Sequence, residues 1–276
     1  MHTSLHPIAS RPSVPSAASR LPARPAAGAY RAVAAALLAL SATLPAAVQA
    51  QAQAQAEAQA STYEPTVGQP GKDVVWVPTP QVLVDKMLDL AQATPQDFLI
   101  DLGSGDGRTV ITAAQRGIKA HGIEYNPDMA ELARRNAQKA GVAERATFAN
   151  ADLFETDLSQ ADVITMFLLP SINERLRPVL LELEPGVRVV SNSFRMGDWQ
   201  PDETATVTEN CTSWCTALLW VVPEKVQGTW KLGEQELKLE QNYQMLTGTL
   251  GNAQISDARM RGRDISFTVN GVRYTG

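Results

Sequence analysis

The 276-residue chain is long enough for one large α/β domain plus a smaller unit, and its 44% hydrophobic content excludes a predominantly disordered protein. Its formal net charge of −5 disfavours a nucleic-acid substrate, because phosphate binding requires clustered Lys and Arg. His121 is the only histidine after residue 50, which disfavours Ser-His-Asp and zinc chemistry and predicts a site without a metal.

The first 50 residues have the composition of a secretory signal peptide. They contain four arginines and no acidic residue, then an alanine-rich apolar run from Ala32 to Leu44 that is shorter than the roughly 20 residues of a membrane-spanning helix. We predict cleavage after Ala50, which would change the net charge from −5 to −9, and export to the periplasm or the medium. An uncleaved membrane anchor and an organellar transit peptide are the alternatives.

The rest of the chain divides into three predicted regions. Residues 51–71 alternate Gln and Ala and then contain Pro65, Gly68 and Pro70, a composition typical of a linker. Residues 72–226 are predicted to form the main domain, and residues 227–276 a small β domain. The main domain is predicted to begin with a short extended arm, followed by a helix whose apolar residues recur at helical spacing from Val82.

Strand and helix patterns then alternate along the main domain. The predicted strands are Phe98–Leu102, Ala120–Glu124, Ala146–Ala149, Val163–Leu169 and Val187–Phe194, and the helices between them begin near Thr109, Pro127 and Ile172. Repeated β-α-β units predict a doubly wound, mostly parallel sheet. Two further segments, Ala205–Glu209 and Ala217–Val222, are predicted to form an antiparallel closing hairpin.

Short apolar segments separated by Gly and Asn predict an all-β tail from Gly228 onwards. The chain ends soon after Tyr274, with little room for a closing strand, so we expect this small sheet to borrow an edge from the main domain or a partner. Arg259, Arg261 and Arg263 alternate there, and a solvated face of a strand is the favoured interpretation.

A glycine-rich turn follows the first predicted strand. Gly103, Gly105 and Gly107 permit a tight turn and close approach of a ligand, at the sheet edge where open α/β folds bind nucleotides. A dinucleotide fingerprint would place its third glycine where Arg108 stands. Asp101 and Asp106 instead flank the turn with carboxylates, which suit the sulfonium and ammonium groups of S-adenosylmethionine.

Acidic residues also follow the next two strands. Glu124 is placed to accept hydrogen bonds from the two ribose hydroxyls, and Asp152 to accept one from the adenine amino group, with Leu153 or Phe154 packing on the ring. Acids at three successive strand ends form a more specific pattern than the glycines alone. A plain glycine-rich turn is the alternative interpretation of the loop.

The loop from Asp101 to Thr109, the segment Gly122–Pro127 and Asp152–Phe154 resemble class I methyltransferases, most closely the small bacterial and mitochondrial-type protein-lysine methyltransferases. The resemblance runs from about Val75 to Phe194. It implies an arm that closes over S-adenosylmethionine and a protein or small cationic acceptor. The implied cofactor residues are Asp101, Gly103, Ser104, Gly105, Asp106, Gly107, Glu124, Tyr125, Asn126, Asp152 and Leu153.

The resemblance also implies that the acceptor enters beside the end of the fourth strand. The candidates for its pocket are Trp76, Phe167, Leu169 and Pro170. The segment after that strand lacks the Asn-Pro-Pro-Tyr sequence found in some methyltransferases that act on base amino groups. An S-adenosylmethionine-binding protein without turnover and, less favoured, a nucleotide-dependent oxidoreductase are the alternative functions.

Three residues outside this pattern have simpler interpretations. His121 lies among apolar residues and is predicted to be structural. Cys211 and Cys215 flank the predicted hairpin turn, where a disulfide is plausible in an oxidising compartment. A catalytic dithiol is the less favoured alternative, because no Cys-x-x-Cys motif accompanies them.

Overall fold

The computed structural model describes residues 63–276 together with His6, Pro7 and Gln51. The predicted signal peptide and most of the predicted linker therefore lie outside the described residues. The two-residue strand β1, His6–Pro7, pairs with the first strand of the C-terminal sheet. Cleavage at the predicted position would remove it and leave that edge of the sheet open.

The main sheet has seven strands in the order β4-β3-β2-β5-β6-β8-β7. The first five of these pair in parallel, and β8 is antiparallel to both β6 and β7. The predicted doubly wound sheet and closing hairpin are confirmed. The strands are β2 (Phe98–Leu102), β3 (Lys119–Glu124), β4 (Ala146–Asn150), β5 (Val163–Met166), β6 (Arg188–Asn192), β7 (Glu203–Thr206) and β8 (Thr216–Val221).

Among the described residues, four helices cover the two faces of this sheet. Alternate strand residues face opposite sides: Leu99 packs into the core beneath α1, α2 and α3, and Ile100 into the core beneath α4. Both faces are therefore apolar, which explains the near-continuous hydrophobic runs of the central strands. The helices are α1 (Gln81–Leu90), α2 (Arg108–Gln115), α3 (Pro127–Lys139) and α4 (Pro170–Leu180).

The prediction was wrong in the region between β5 and α4. The strand ends at Met166 rather than Leu169, and the helix begins at Pro170 rather than near Ile172. The apolar segment Phe167–Leu169 has the composition of a strand but leaves the sheet at its carboxyl edge. Proline suits the first turn of a helix because its missing N–H has no partner there.

The C-terminal sheet is an antiparallel meander with its own apolar core. Its last strand pairs with its neighbour, and Ile265 exchanges two backbone hydrogen bonds with the terminal Gly276. The expectation of a missing closing strand was therefore wrong, because four residues suffice. The strands are β9 (Gly228–Leu232), β10 (Gln235–Asn242), β11 (Met245–Leu250), β12 (Ala253–Gln254), β13 (Ser256–Arg261), β14 (Asp264–Val269) and β15 (Val272–Thr275).

The alternating arginines join this sheet to the main domain. Arg259 pairs with Asp202, whose side chain is fully buried, and Arg261 lies 2.5 Å from Glu203. Arg263 lies 2.9 Å from Glu184. The solvated-face interpretation holds for Arg261 and Arg263, which are exposed, whereas Arg259 is partly buried and pairs with a buried acid. Within the described part of the chain, none of the helices has the length and apolarity needed to cross a bilayer.

Candidate active site

A deep cleft opens at the carboxyl edge of the parallel strands. It encloses about 1070 Å³ of space between protein atoms, including the open solvent at its mouth. The arm before α1 forms one wall and the loops after β2, β3, β4 and β5 form the rest. The predicted cofactor residues that line it are Asp101, Gly103, Ser104, Gly105, Asp106, Glu124, Tyr125, Asn126, Asp152 and Leu153.

The glycine turn leaves room that side chains would fill. Gly103 and Gly105 have φ of +74° and +54°, a conformation that other residues rarely adopt. A Cβ on Gly105 would lie 2.6 Å from the indole nitrogen of Trp76, which the arm brings over the turn. Gly107 does not line the cleft; a Cβ there would lie 2.7 Å from the ring of Phe148, so it permits packing behind the turn.

Asp101 is the acid nearest the interior. It is 6% exposed, and its carboxylate accepts a 2.6 Å hydrogen bond from the hydroxyl of Thr165 on the neighbouring strand. Burial raises the pKa of Asp101 to about 7; the Thr165 hydrogen bond opposes this, and the negative charges of Asp106 and Glu124 add to it. A cation in the cleft would favour the ionised form.

Asp106 has its charge largely compensated by Arg108. The carboxylate lies 2.6 Å from the Arg108 guanidinium, which also donates to the backbone carbonyl of Thr79 in the arm. Asn136 of α3 donates to the Asp106 backbone carbonyl, which fixes the loop against that helix. Asp106 therefore ties the arm and the glycine turn together, and Asp101 is the less compensated of the two acids.

Glu124 closes the second side of the turn. Its two carboxylate oxygens accept hydrogen bonds of 2.9 Å from the backbone N–H groups of Gly105 and Asn126. The Asn126 side chain in turn caps α3 by accepting from Asp128 and Met129. This arrangement holds a carboxylate with free lone pairs at the cleft wall, where a ribose diol can be bound.

Asp152 forms an ion pair that the sequence did not suggest. Lys72 of the arm lies 2.5 Å from its carboxylate and 4.3 Å from the centre of the Tyr125 ring. The hydrogen bond from Lys72 lowers the pKa of Asp152. Leu153 lines the cleft, whereas Phe154 does not and packs under the Arg175 guanidinium. Of the two residues suggested to contact the adenine ring, only Leu153 is therefore in place.

The four acceptor-pocket candidates divide into two pairs. Trp76 and Phe167 line the cleft, but Leu169 and Pro170 do not. Leu169 is the N-cap residue of α4 and is 38% exposed, so it faces solvent. Leu168 is buried and lines the cleft instead, beside Phe167; strand alternation would have placed these two neighbours on opposite faces, so no signal in the sequence indicated Leu168.

The residues of the cleft fit S-adenosylmethionine. The buried hydroxyl of Ser104 has no hydrogen-bond partner among the described residues and packs against Gly122. The carboxylates suit the positive groups and hydroxyls of the cofactor, and the glycine turn gives it room. His121 does not line the cleft; its ring contacts Thr147 at 2.7 Å, and burial lowers its pKa, in keeping with a structural role.

Comparison with known proteins places this cleft in a family. Residues 101–203 match the ANTKMT methyltransferase domain. The chain is 43% identical over 154 residues to a protein-lysine N-methyltransferase of Saccharolobus islandicus, covering 55% of this chain and 95% of that protein. The chain belongs to this family of class I methyltransferases. It is thus an S-adenosylmethionine-dependent methyltransferase, and the residues that match the domain include the glycine turn and the acids of the cleft.

Two further relatives extend the comparison. The mouse adenine nucleotide translocase lysine N-methyltransferase is 39% identical over 120 residues, covering 43% of this chain; the chain spans about half of that protein, 52%. A solved structure described as an RNA methyltransferase from Salinibacter ruber, in complex with S-adenosyl-L-homocysteine, is 49% identical and has a TM-score of 0.51. It covers 54% of this chain and 96% of its own length.

The methyltransferase carries a disulfide beside the site. Cys211 and Cys215 are joined, with Cα atoms 5.9 Å apart, in the turn between β7 and β8. The sequence had suggested either this disulfide or a catalytic dithiol. Because the two sulfur atoms are bonded to each other, they do not form a dithiol in this state. The turn lies at the same edge of the sheet as the cleft, because β8 runs antiparallel to β6.

Proposed function

We propose that the protein transfers a methyl group from S-adenosylmethionine to the ε-amino group of a lysine in another protein. The observation that carries this is the 43% identity across 95% of a protein-lysine N-methyltransferase. The cleft adds independent support, since Trp76 and Phe167 provide an apolar wall beside the cofactor residues. Such a wall suits the long aliphatic stem of lysine.

Methyl transfer requires the amine to be neutral. A free lysine has a pKa of about 10.4, so its deprotonation at pH 7 costs over about 4 kcal/mol. Removing the ammonium from water lowers that pKa, and the cofactor's own positive charge acts in the same direction. When bound, S-adenosylmethionine supplies the electrophilic methyl group; the protein's task is to align the amine and exclude water.

The acidic balance of the chain favours a basic protein substrate over RNA. With residues 1–50 removed, the net charge would be −9, and a positively charged partner is attracted to such a surface. The Salinibacter relative's description makes RNA the second candidate. If the transferred methyl groups are labelled, protease will release the label from a protein acceptor and ribonuclease will release it from RNA, which distinguishes the two acceptors.

We also propose that the enzyme acts outside the cytoplasm. The N-terminal segment has the order of charges and apolar residues of an export signal, and the Cys211–Cys215 disulfide is of a kind that persists in oxidising compartments. Expression of the full chain in its host, followed by cell fractionation and mass spectrometry, tests this. Intact protein beginning at Met1 in the cytoplasm would contradict it.

The acceptor is found by transfer of labelled methyl groups to an extract of envelope proteins, followed by mass spectrometry of the labelled peptides. We expect mono-, di- or trimethylated lysine. Label in ribonuclease-sensitive material would instead establish the RNA candidate. Binding of S-adenosylmethionine without any labelled protein, nucleic acid, lipid or small molecule would establish the binding-protein alternative.

A further inference from the structure

Three aromatic side chains form a cluster at the acceptor side of the cleft. The ring centres of Phe194 and Trp214 lie 5.1 Å apart, and Phe167 lies 6.0 Å from Phe194 and 5.8 Å from Trp214. We call these three residues the aromatic cluster. Because Phe167 also lines the cleft, the cluster is continuous with the cofactor site.

The sheet topology brings these residues together from distant parts of the chain. Phe167 follows β5, Phe194 follows β6, and Trp214 precedes β8; these three strands are neighbours in the sheet. Their ends meet at one edge because β8 is antiparallel to β6. A backbone hydrogen bond of 2.7 Å from Ser193 to Thr216 fixes the two loops against each other.

Trp214 is held in a left-handed backbone conformation. Its φ is +57°, a left-handed conformation that costs a non-glycine residue roughly 1–2 kcal/mol. It nevertheless leaves 43% of its surface exposed. The disulfide closes the turn on both sides of it, and Val207 donates to the carbonyl of Cys215 at 2.8 Å. Backbone strain of this kind clusters at functional sites.

We propose that Trp214, held by the Cys211–Cys215 disulfide, forms the outer wall of the acceptor channel and binds the alkylammonium side chain that is to be methylated. The inference rests on the proposed function and names the residue that recognises its substrate. Phe167 and Phe194 form the inner part of the same wall. The disulfide is in this view a positioning element for Trp214.

The chemistry of the cluster matches a lysine side chain. Aromatic faces attract an approaching ammonium, by roughly 0.5–2 kcal/mol, and tryptophan is the strongest of the three ring types. The same rings are apolar, so they strip water from the four-carbon stem and from the amine as it moves inward. Attraction of the cation at the mouth and desolvation further in are the two effects that a lysine acceptor requires.

Four variants test the assignment. Trp214→Ala removes the wall, Trp214→Phe keeps an aromatic face, and the double variant Cys211→Ser with Cys215→Ser frees the turn. Met245→Ala is the matched control, since it removes another exposed apolar side chain, 52% exposed, in the C-terminal sheet. Each is assayed for the initial rate of lysine labelling in the envelope extract and for the Kd of S-adenosyl-L-homocysteine by calorimetry.

We expect Trp214→Ala to lower the labelling rate by about tenfold, the equivalent of the stronger cation–aromatic contacts. The Kd of Trp214→Ala for S-adenosyl-L-homocysteine should equal that of wild type, and Trp214→Phe should retain most of the labelling rate. The double cysteine variant should fall between Trp214→Ala and wild type, and a reductant should have the same effect on wild type but none on Trp214→Ala. Equal labelling rates for Trp214→Ala and Met245→Ala would overturn the proposal. So would a loss of S-adenosyl-L-homocysteine binding by Trp214→Ala that matches its loss of rate.

A second measurement separates this proposal from the proposed function. Saturation-transfer NMR follows the binding of n-butylammonium, an analogue of the lysine side chain, to the enzyme's complex with S-adenosyl-L-homocysteine. The neutral control is n-butanol. If wild type labels no protein, the proposed function fails, but the cluster still predicts butylammonium binding that Trp214→Ala abolishes. Absence of binding to wild type, or equal binding by Trp214→Ala, would overturn the cluster's role.

Discussion

The buried carboxyl group of Asp101 affects both the stability of the folded protein and the binding of a cationic ligand. Its pKa in the folded protein is about 7, above the ordinary value of 3.8, so the folded state binds its proton more tightly than the unfolded state. The resulting stabilisation is complete below pH 3.8 and is lost as the pH rises through 7. Above pH 7 the folded protein must hold a buried charge with one hydroxyl partner.

We therefore predict that Asp101→Asn stabilises the ligand-free protein at pH 8 and has little effect near pH 4. At 1.36 kcal/mol for each pH unit between the two pKa values, the gain at pH 8 is on the order of 4 kcal/mol. The amide oxygen can still accept from Thr165. Urea unfolding at both pH values measures this. A loss of stability at pH 8 would show that the carboxylate is stabilised by contacts other than those described.

Lys72 and Thr165 illustrate what the sequence could not predict at this scale. The acids at three strand ends were predictable, because parallel strands bring their carboxyl ends to one edge whatever their exact register. The Thr165 contact depends on the register that places it opposite Asp101 on β2. The Lys72 pair joins residues 80 positions apart from an arm without periodicity, so no local pattern indicates it.

The glycine turn shows how one element supports several neighbours. Gly107 is the N-cap residue of α2, with φ of +83°, and the space above its Cα is filled by Phe148 of β4 and Ala133 of α3. Gly141 has a similar φ of +71° but no atom within 4 Å of a Cβ among the described residues. These two glycines share the same backbone requirement and differ in packing.

Gly107→Ala is expected to destabilise the protein by about 3 kcal/mol, the sum of left-handed strain and overpacking. Gly141→Ala, which adds only the strain, should cost about 1 kcal/mol. Denaturant unfolding of both variants gives the difference. Equal losses would mean that α3 and β4 move apart freely, contrary to the close packing described here.

Element boundaries were the least predictable feature of the fold. The predicted alternation of strands and helices was correct because the spacing of apolar residues reflects which faces of an element are buried. The end of β5 was misplaced because Phe167 and Leu168 are apolar for another reason, namely that they line a cleft rather than extend a strand. A functional wall and a buried strand therefore have the same composition here.

At the level of the whole molecule, one buried acid lies at the junction of the two sheets. Asp202 accepts from Arg259 and from the backbone N–H of Val221, and its side chain is fully buried. The neighbouring pair, Arg261 with Glu203, is about half exposed. The arginine row thus contains one pair that is costly to break and one that is not.

Arg259→Met should destabilise the protein by about 2 kcal/mol, because it leaves a buried carboxylate without its charged partner. Arg261→Met should cost under about 1 kcal/mol, as is usual for exposed pairs. The double variant of Arg259→Met with Asp202→Asn should recover part of the loss. Thermal unfolding of the three proteins checks this, and similar losses for both single arginine variants would contradict the account.

We propose that the cleft binds S-adenosylmethionine with Asp101 in its ionised form. Calorimetry of the full chain at pH 7, in two buffers of different ionisation enthalpy, tests it most directly. Because the pKa of Asp101 is raised to about 7, we predict net proton release on binding at that pH, absent in Asp101→Asn, and no binding of NAD. Binding of NAD in place of S-adenosylmethionine would contradict this proposal. So would release of the same number of protons by wild type and by Asp101→Asn.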